Sequence, residues 1–414
     1  VAIGQRRRRG GAALDVIGID DREAERVAAA VAEHLPPSLT SHFGPGFTRS
    51  HTMFDEFVYR HALRVVDDTG LAGAMDDWCR VEDTVTRAGL EPNRSVIPVD
   101  WLLRHLASRG ALARADGAGG PRFRLEAPLP ALDPAEVLEA QRRHDPACLP
   151  SYVLAETAAR DYPAFLRGER AGEDVLLAPA RLPLWTGYFS NDNALYAINN
   201  RVGAAALAAH APPGDFAVLE LGGGLASGTL AALDHLAAAG RAGDVTAYRF
   251  TELVPAFLRR AQRLVTERCP QASIVSFAGL DMNRPFQEQG VAPGSVGIVY
   301  AVNTLHVARD LPFTLAEIRK AVAPGGRVIA SECVRPSAGQ TLYPEFVFNL
   351  LETFRAPVLD PRHRPNGGFL TPEQWTAALE ASGFVDARVW PDVPRIRQVF
   401  PTFFVGAISA SRPR

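Results

Sequence analysis

Three carboxylates and a run of glycines are spaced along this chain as a nucleoside ligand would require. Glu220 closes the apolar run Phe216-Ala217-Val218-Leu219-Glu220-Leu221 and is followed at once by Gly222-Gly223-Gly224. Without a Cβ, Gly222 and Gly224 let the backbone approach a ligand closely. Glu252 closes the next strand-like run, Val245–Phe250, and can accept both hydrogen bonds of a ribose diol. Asp281 follows a third run, Ser273–Phe277, where a carboxylate can accept from an adenine amino group, and the adjacent Met282 can pack on the purine face. Asn303 ends a fourth run, Gly297–Val302, and completes the ligand-facing set. A second kind of chemistry begins three residues later. His306 sits just past this fourth strand, and Glu332 directly follows a fifth, Arg327–Ser331. Neighbouring strands would bring imidazole and carboxylate together, and a carboxylate partner orients a histidine and raises its basicity for proton abstraction.

A nicotinamide dinucleotide fits this pattern poorly. Its fingerprint wants a third glycine at position 227, which is Ser227, and Glu220 would set negative charge beside a pyrophosphate. A cationic sulfonium with an amino-acid tail suits an acidic, glycine-lined pocket better. Each residue also has a plainer reading. Glu220 could cap the following helix, Asp281 could serve only a turn, His306 could bond a backbone carbonyl, and Glu332 could lie on the surface.

These residues need an open sheet to hold them. From Phe216 onward, strands alternate with helices at Gly228–Ala239, Pro255–Glu267, Leu311–Val322 and Pro372–Ser382, ending in strands Val385–Val389 and Phe403–Ser409. That alternation predicts a doubly wound α/β sheet with its ligand at the carboxyl ends of the strands. The tract Trp390–Pro401, with three prolines, reads as loop. Residues 22–180 are mainly helical by pattern, with Asp21 as the expected N-cap of Arg22–His34 and a further helix at Phe54–Thr69. Helix Val99–Leu112, the turn Asp116–Gly120 and the alternating Phe123-Arg124-Leu125 read as a winged-helix-like unit. The division expected is a helical lid or dimerisation domain at 1–180 and a ligand-binding domain at 181–414.

Composition narrows the functions. Among 414 residues the formal net charge is −2, which gives no bulk reason to bind nucleic acid or an anionic membrane. Cys79, Cys148, Cys269 and Cys333 are far apart, and the histidines form no ligand ladder, so neither disulfide scaffold nor metal site is expected, and a reducing cytoplasm fits. No apolar run is long enough to span a membrane. The Arg6–Arg9 cluster reads as a solvated tail. Lys320 is the only lysine, and its helix position predicts that it faces solvent, leaving proton removal to histidine or carboxylate.

The region from about Trp185 to Ser409 resembles the class I S-adenosylmethionine-dependent methyltransferases. The resemblance rests on Val218–Gly224, Thr251-Glu252, Leu280-Asp281, Asn303-Thr304-Leu305-His306 and Ala323-Pro324-Gly325-Gly326. It implies a Rossmann-like, mostly parallel seven-stranded sheet, with Gly222 and Gly224 at the methionine end, Glu252 on the ribose and Asp281 on the adenine. Ala226 stands where the family's third glycine usually lies. A finer resemblance, to the C-methyltransferase domains of polyketide synthases, rests on Asn303–Leu311, Ser331-Glu332, Trp185–Asn191, Gly368–Trp375 and Ala381–Phe384. It implies that His306, paired with Glu332, deprotonates the α-carbon of a β-ketoacyl thioester, and that the helical region is a lid. Tyr188, Asn191, Phe346 and Asn349 are then the substrate-facing candidates, and Asn193, Asn199 and Asn200 can lie over the methionine end. Within Gln340–Asn366, the aromatic Phe346, Phe348 and Phe354 and the basic Arg355, Arg362, His363 and Arg364 could shape an acyl pocket, receive a phosphopantetheine phosphate, or simply form an Arg-rich solvated loop. The expected partner is a small-molecule or carrier-bound acyl substrate, with the chain a monomer or homodimer. Two other readings stay open: O-methylation of a phenolic metabolite, and a carrier-binding pseudo-methyltransferase without activity.

Overall fold

In the computed structural model, which describes residues 17, 19–269 and 271–414, helices open the chain, and the first two strands, β1 (Ala113–Ala115) and β2 (Arg122–Arg124), form a short antiparallel hairpin. Seven further strands form one sheet. They are β3 (Phe216–Leu221), β4 (Val245–Thr251), β5 (Val275–Ala278), β6 (Val296–Val302), β7 (Val322–Cys333), β8 (Val385–Trp390) and β9 (Val405–Ser411). Their order is β5-β4-β3-β6-β7-β9-β8, parallel from β5 to β7 and antiparallel where β9 meets β7 and β8. The central β3 and β6 are apolar but for Glu220 and buried on both faces, as strands covered by helices on two sides must be. Strand order reverses between β3 and β6, and that reversal opens a crevice at their carboxyl ends. The Arg6–Arg9 cluster lies outside the described residues.

Three local readings need correction. Asp20, not Asp21, caps the first helix, because its side chain accepts the Glu23 N–H at 2.8 Å and Asp21 already has helical backbone. The proline-rich tract after β8 holds a helix, Val393–Val399, since Pro394 sits in its first turn where no N–H is needed and Asp392 caps it. Strand β7 starts at Val322, with Ala323–Gly326 bulging out of register opposite Val296 and Ile298, and it runs on to Cys333, so Glu332 lies inside the strand instead of beyond it.

The helices Pro45–Asp68, Pro92–Ser108 and Leu149–Leu166 form an apolar layer before the sheet. The segment after β7 folds back onto them. Trp101 Nε1 donates to Leu342 O at 3.2 Å, and Tyr162 Oη donates to Phe346 O at 2.8 Å. Phe54, Ser151 and Leu154 of that layer line the same cavity as Asn303 and His306 after β6. No helix among the described residues is long and apolar enough to cross a membrane. Lys320 is 65% exposed, as its helix position predicted.

Candidate active site

The turn after β3 is held in a conformation that ordinary side chains resist. Gly222, Gly224 and Ala226 all have φ near +60°. A Cβ on Gly222 would lie 2.5 Å from Thr304 Oγ1, so this strand end packs directly on the loop after β6. Ala226 bears the left-handed strain usually left to glycine, roughly 1 kcal/mol, at the start of helix Ser227–Ala238. Gly222→Ala combines such strain with a steric clash and should cost about 1–3 kcal/mol in denaturant unfolding. Adding Thr304→Ala should recover the steric part but not the rest.

Glu220 is wholly buried and does not cap that helix. Its Oε2 instead accepts from Thr229 Oγ1 at 2.6 Å and from Tyr248 Oη at 2.9 Å. Burial pushes its carboxyl up to about 7, against the lowering effect of those two donors, with the nearby Glu252 charge adding to the rise. Glu252 is fixed at both oxygens: Oε2 accepts Gly224 N–H at 2.9 Å and Oε1 accepts Val254 N–H at 2.8 Å. Burial raises its pKa while these backbone donors oppose the rise. Asp281 does form a turn, its Oδ1 accepting Asn283 N–H at 2.9 Å, and it also lines the crevice. Glu220, Gly222, Gly224, Glu252, Asp281, Met282 and Asn303 all border one cavity of about 340 Å³. Asn200 lines it too, and its buried Oδ1 has no partner among the described residues. Carboxylates, an open amide carbonyl and a glycine-lined wall fit a cationic nucleoside such as S-adenosylmethionine and would repel a pyrophosphate.

The second site lies beside it. His306 Nδ1 is 2.6 Å from Glu332 Oε2, and Glu332 Oε1 accepts the N–H groups of Thr304 at 3.1 Å and Leu305 at 2.7 Å. The carboxylate is thus fully buried yet satisfied, and it ties the loop after β6 to β7. The imidazole packs on Phe369, with ring centroids 4.7 Å apart, and edge-on to Phe354. Arg364 is no solvated loop residue. It is wholly buried and donates to the carbonyls of His306 and Ala308, holding the backbone under the ring. Burial pushes its guanidinium down to about 10, partly offset by the Glu332 charge. With Nδ1 engaged, Nε2 is the ring nitrogen left for chemistry.

His306 lines a cavity of about 300 Å³ walled by apolar side chains and many aromatic rings, including Trp185, Tyr188, Phe348 and Phe354. Asn303, Tyr196 and Phe189 border both cavities, so the acidic and aromatic chambers adjoin. Of the substrate-facing candidates, Tyr188 lines the aromatic cavity and three others do not. Asn191 instead bridges Ser227 O and Asn200 Nδ2, each at 2.8 Å, as a structural tie. Phe346 is buried against Tyr162 and Trp101. Asn349 lines a separate polar cavity that shares Phe354 with the aromatic one. Sequence reasoning passed over Tyr196, although Tyr196, Asn199 and Asn200 follow helical spacing on Ala194–His210, which would have placed them on one face. Cys333 and Phe369 were not singled out as site residues either, although Cys333 adjoins the quoted Ser331-Glu332 and Phe369 lies within the quoted Gly368–Trp375.

No protein-family model matches the chain. In sequence it is 27% identical over 329 residues to highly reducing polyketide synthase 2 of Gibberella zeae, covering 77% of this chain and 12% of that protein. It is 29% identical over 363 residues to polyketide synthase ThaQ of Burkholderia thailandensis, covering 82% of this chain and 16% of that one. The chain thus spans only a small part of these relatives. In structure it matches the CurJ carbon methyltransferase with a TM-score of 0.71 at 21% identity, covering 95% of this chain and 99% of that one. It also matches the trans-methyltransferase CalH, in complex with SAH, with a TM-score of 0.60 at 20% identity, covering 87% and 90%. The fold is that of a Rossmann-like class I methyltransferase, and it resembles polyketide synthase carbon methyltransferases.

Proposed function

We propose that this chain, with its class I methyltransferase fold, binds S-adenosylmethionine in the acidic cavity and methylates the α-carbon of a carrier-bound β-ketoacyl thioester. The observation that carries the reading is the His306–Glu332 hydrogen bond of 2.6 Å, set in the wall of an aromatic cavity that adjoins the acidic one. When bound, S-adenosylmethionine supplies the activated methyl group and leaves as S-adenosylhomocysteine. The chain's own residues do the rest. Glu220 and the Asn200 carbonyl balance positive charge at the methionine end. Glu252 meets the ribose, and Asp281 with Met282 meets the adenine. His306 Nε2 takes the α-proton, and Glu332, across the ring, stabilises the imidazolium that forms. The aromatic walls exclude water from the carbanion, and Tyr188 and Phe348 bound the acyl group.

The test is a mass-resolved assay with three acceptors: a β-ketobutyryl group on a carrier protein, its N-acetylcysteamine thioester, and a simple phenol. Methyl gain at the thioester α-carbon is the expected result. Methylation of the phenol alone would replace this reading with O-methylation. Calorimetry showing no binding of S-adenosylmethionine would replace it with a pseudo-methyltransferase.

A further inference from the structure

Asn303 is held in an unusual way at the one place where it borders both cavities. Its backbone has φ +47°, and its N–H donates to Ser331 O at 2.8 Å, which locks the residue to the adjacent strand. Its side chain is oriented by a buried thiol: Cys333 Sγ donates to Asn303 Oδ1 at 3.6 Å, while Asn199 Nδ2 lies 4.0 Å from that sulfur. Burial, with the charges of Glu332 and Glu345 nearby, raises the Cys333 thiol well above its ordinary range, so it stays a donor. Once Oδ1 is turned toward the thiol, Nδ2 is the end left to the cavities, and it has no partner among the described residues. Asn303 precedes His306 by three residues, in the loop that Glu332 ties down at Thr304 and Leu305.

We infer that the Asn303 amide is an oxyanion donor for the acyl substrate, and that Cys333 is the positioning residue that aims it. The inference rests on the proposed α-deprotonation. In that step His306 Nε2 gains the α-proton, the C–H electron pair becomes the enolate double bond, and the carbonyl π pair moves onto oxygen. A preorganised N–H aimed at that oxygen lowers the barrier more than it favours the ground state. The plainer alternative is that position 303 needs asparagine only for its left-handed backbone, which asparagine tolerates better than most residues.

Glycine separates the two, because it suits that backbone and removes the amide. The experiment follows deuterium entering the α-carbon of β-ketobutyryl-N-acetylcysteamine in deuterated buffer by NMR, without S-adenosylmethionine, as the rate above the enzyme-free background. The unaltered protein should accelerate exchange and His306→Ala should not; if the unaltered protein shows no acceleration, the parent reading fails and this inference with it. Given acceleration, Asn303→Gly should lose about 100-fold, and Asn303→Asp, which keeps the shape but not the donor, at least as much. Cys333→Ala should lose about 10-fold, and Cys333→Ser, which can still donate to Oδ1, should recover most of that. Unchanged exchange in folded Asn303→Gly overturns the inference, as does unchanged exchange accompanied by lost S-adenosylmethionine binding, which would make Asn303 a cofactor ligand.

Discussion

His306→Ala is expected to lower methyl transfer to a β-ketoacyl thioester by about 10³-fold, and Glu332→Gln to match it, while binding of S-adenosylmethionine changes little. The first effect is the loss of a positioned base. The second is the more telling, because glutamine is nearly the same shape. Glu332 Oε1 accepts two backbone N–H groups and Oε2 faces His306 Nδ1, so a glutamine must keep its carbonyl toward the backbone donors. Its amide N–H then points at Nδ1 and forces the proton onto Nε2. The imidazole would present a donor where the reaction needs a lone pair. Thermal unfolding should show both variants folded. Turnover by Glu332→Gln within tenfold of the unaltered protein would remove the dyad from the mechanism, leaving Glu332 as a structural tie between β7 and the following loop.

The strand ends were legible in the sequence because they combine period and punctuation. Apolar runs stop at Glu220, Glu252, Asp281 and Asn303, and parallel topology then gathers those ends into one crevice. The proximity of His306 and Glu332 was legible for the same reason, since β6 and β7 are neighbours and chain order alone places both residues at the same edge. The aromatic cavity was legible only in part: Tyr188 and the aromatic residues of Gln340–Asn366 were candidates for an acyl pocket, and Tyr188, Phe348 and Phe354 do line it, but most of its walls were not foreseen. Its walls come from Phe54, Leu177, Tyr188, Phe348 and Phe369, drawn from segments hundreds of residues apart, and only tertiary packing decides which rings face inward. Phe346 and Phe348 differ by two positions in one short helix, yet one is buried against Trp101 and the other faces the cavity. Arg364 was expected either at a phosphate or in a solvated loop, because arginine composition reads as exposure, whereas carbonyls of the loop after β6 needed a buried donor.

Glu220→Gln should move stability and binding in opposite directions. A carboxyl with a pKa of 4.5 when unfolded and about 7 when folded binds its proton more tightly in the native state. Its contribution to stability is therefore greatest below pH 4.5, declines between pH 4.5 and 7, and stays lost above that. The cost of holding the ion in the fold is on the order of 3 kcal/mol at pH 8. A glutamine carbonyl can still accept from Thr229 and Tyr248, which both donate to one oxygen, so the variant keeps those bonds without the buried charge. Without ligand, Glu220→Gln should unfold at a higher temperature than the unaltered protein at pH 8, and the gap should shrink toward pH 5. Binding of the cationic S-adenosylmethionine needs the ionised form, so the unaltered protein's affinity should climb through pH 6 and level off above about 7. The variant should bind about 100-fold more weakly at pH 8 and show no such climb. A thermal gap that does not change with pH would remove the buried charge as its cause, and equal affinity in the variant would remove Glu220 from the cation site. Both outcomes together would leave the acidic residue before the glycine turn with only a packing role. The crossing of signs is what a residue kept for its charge, at the expense of the fold, has to produce.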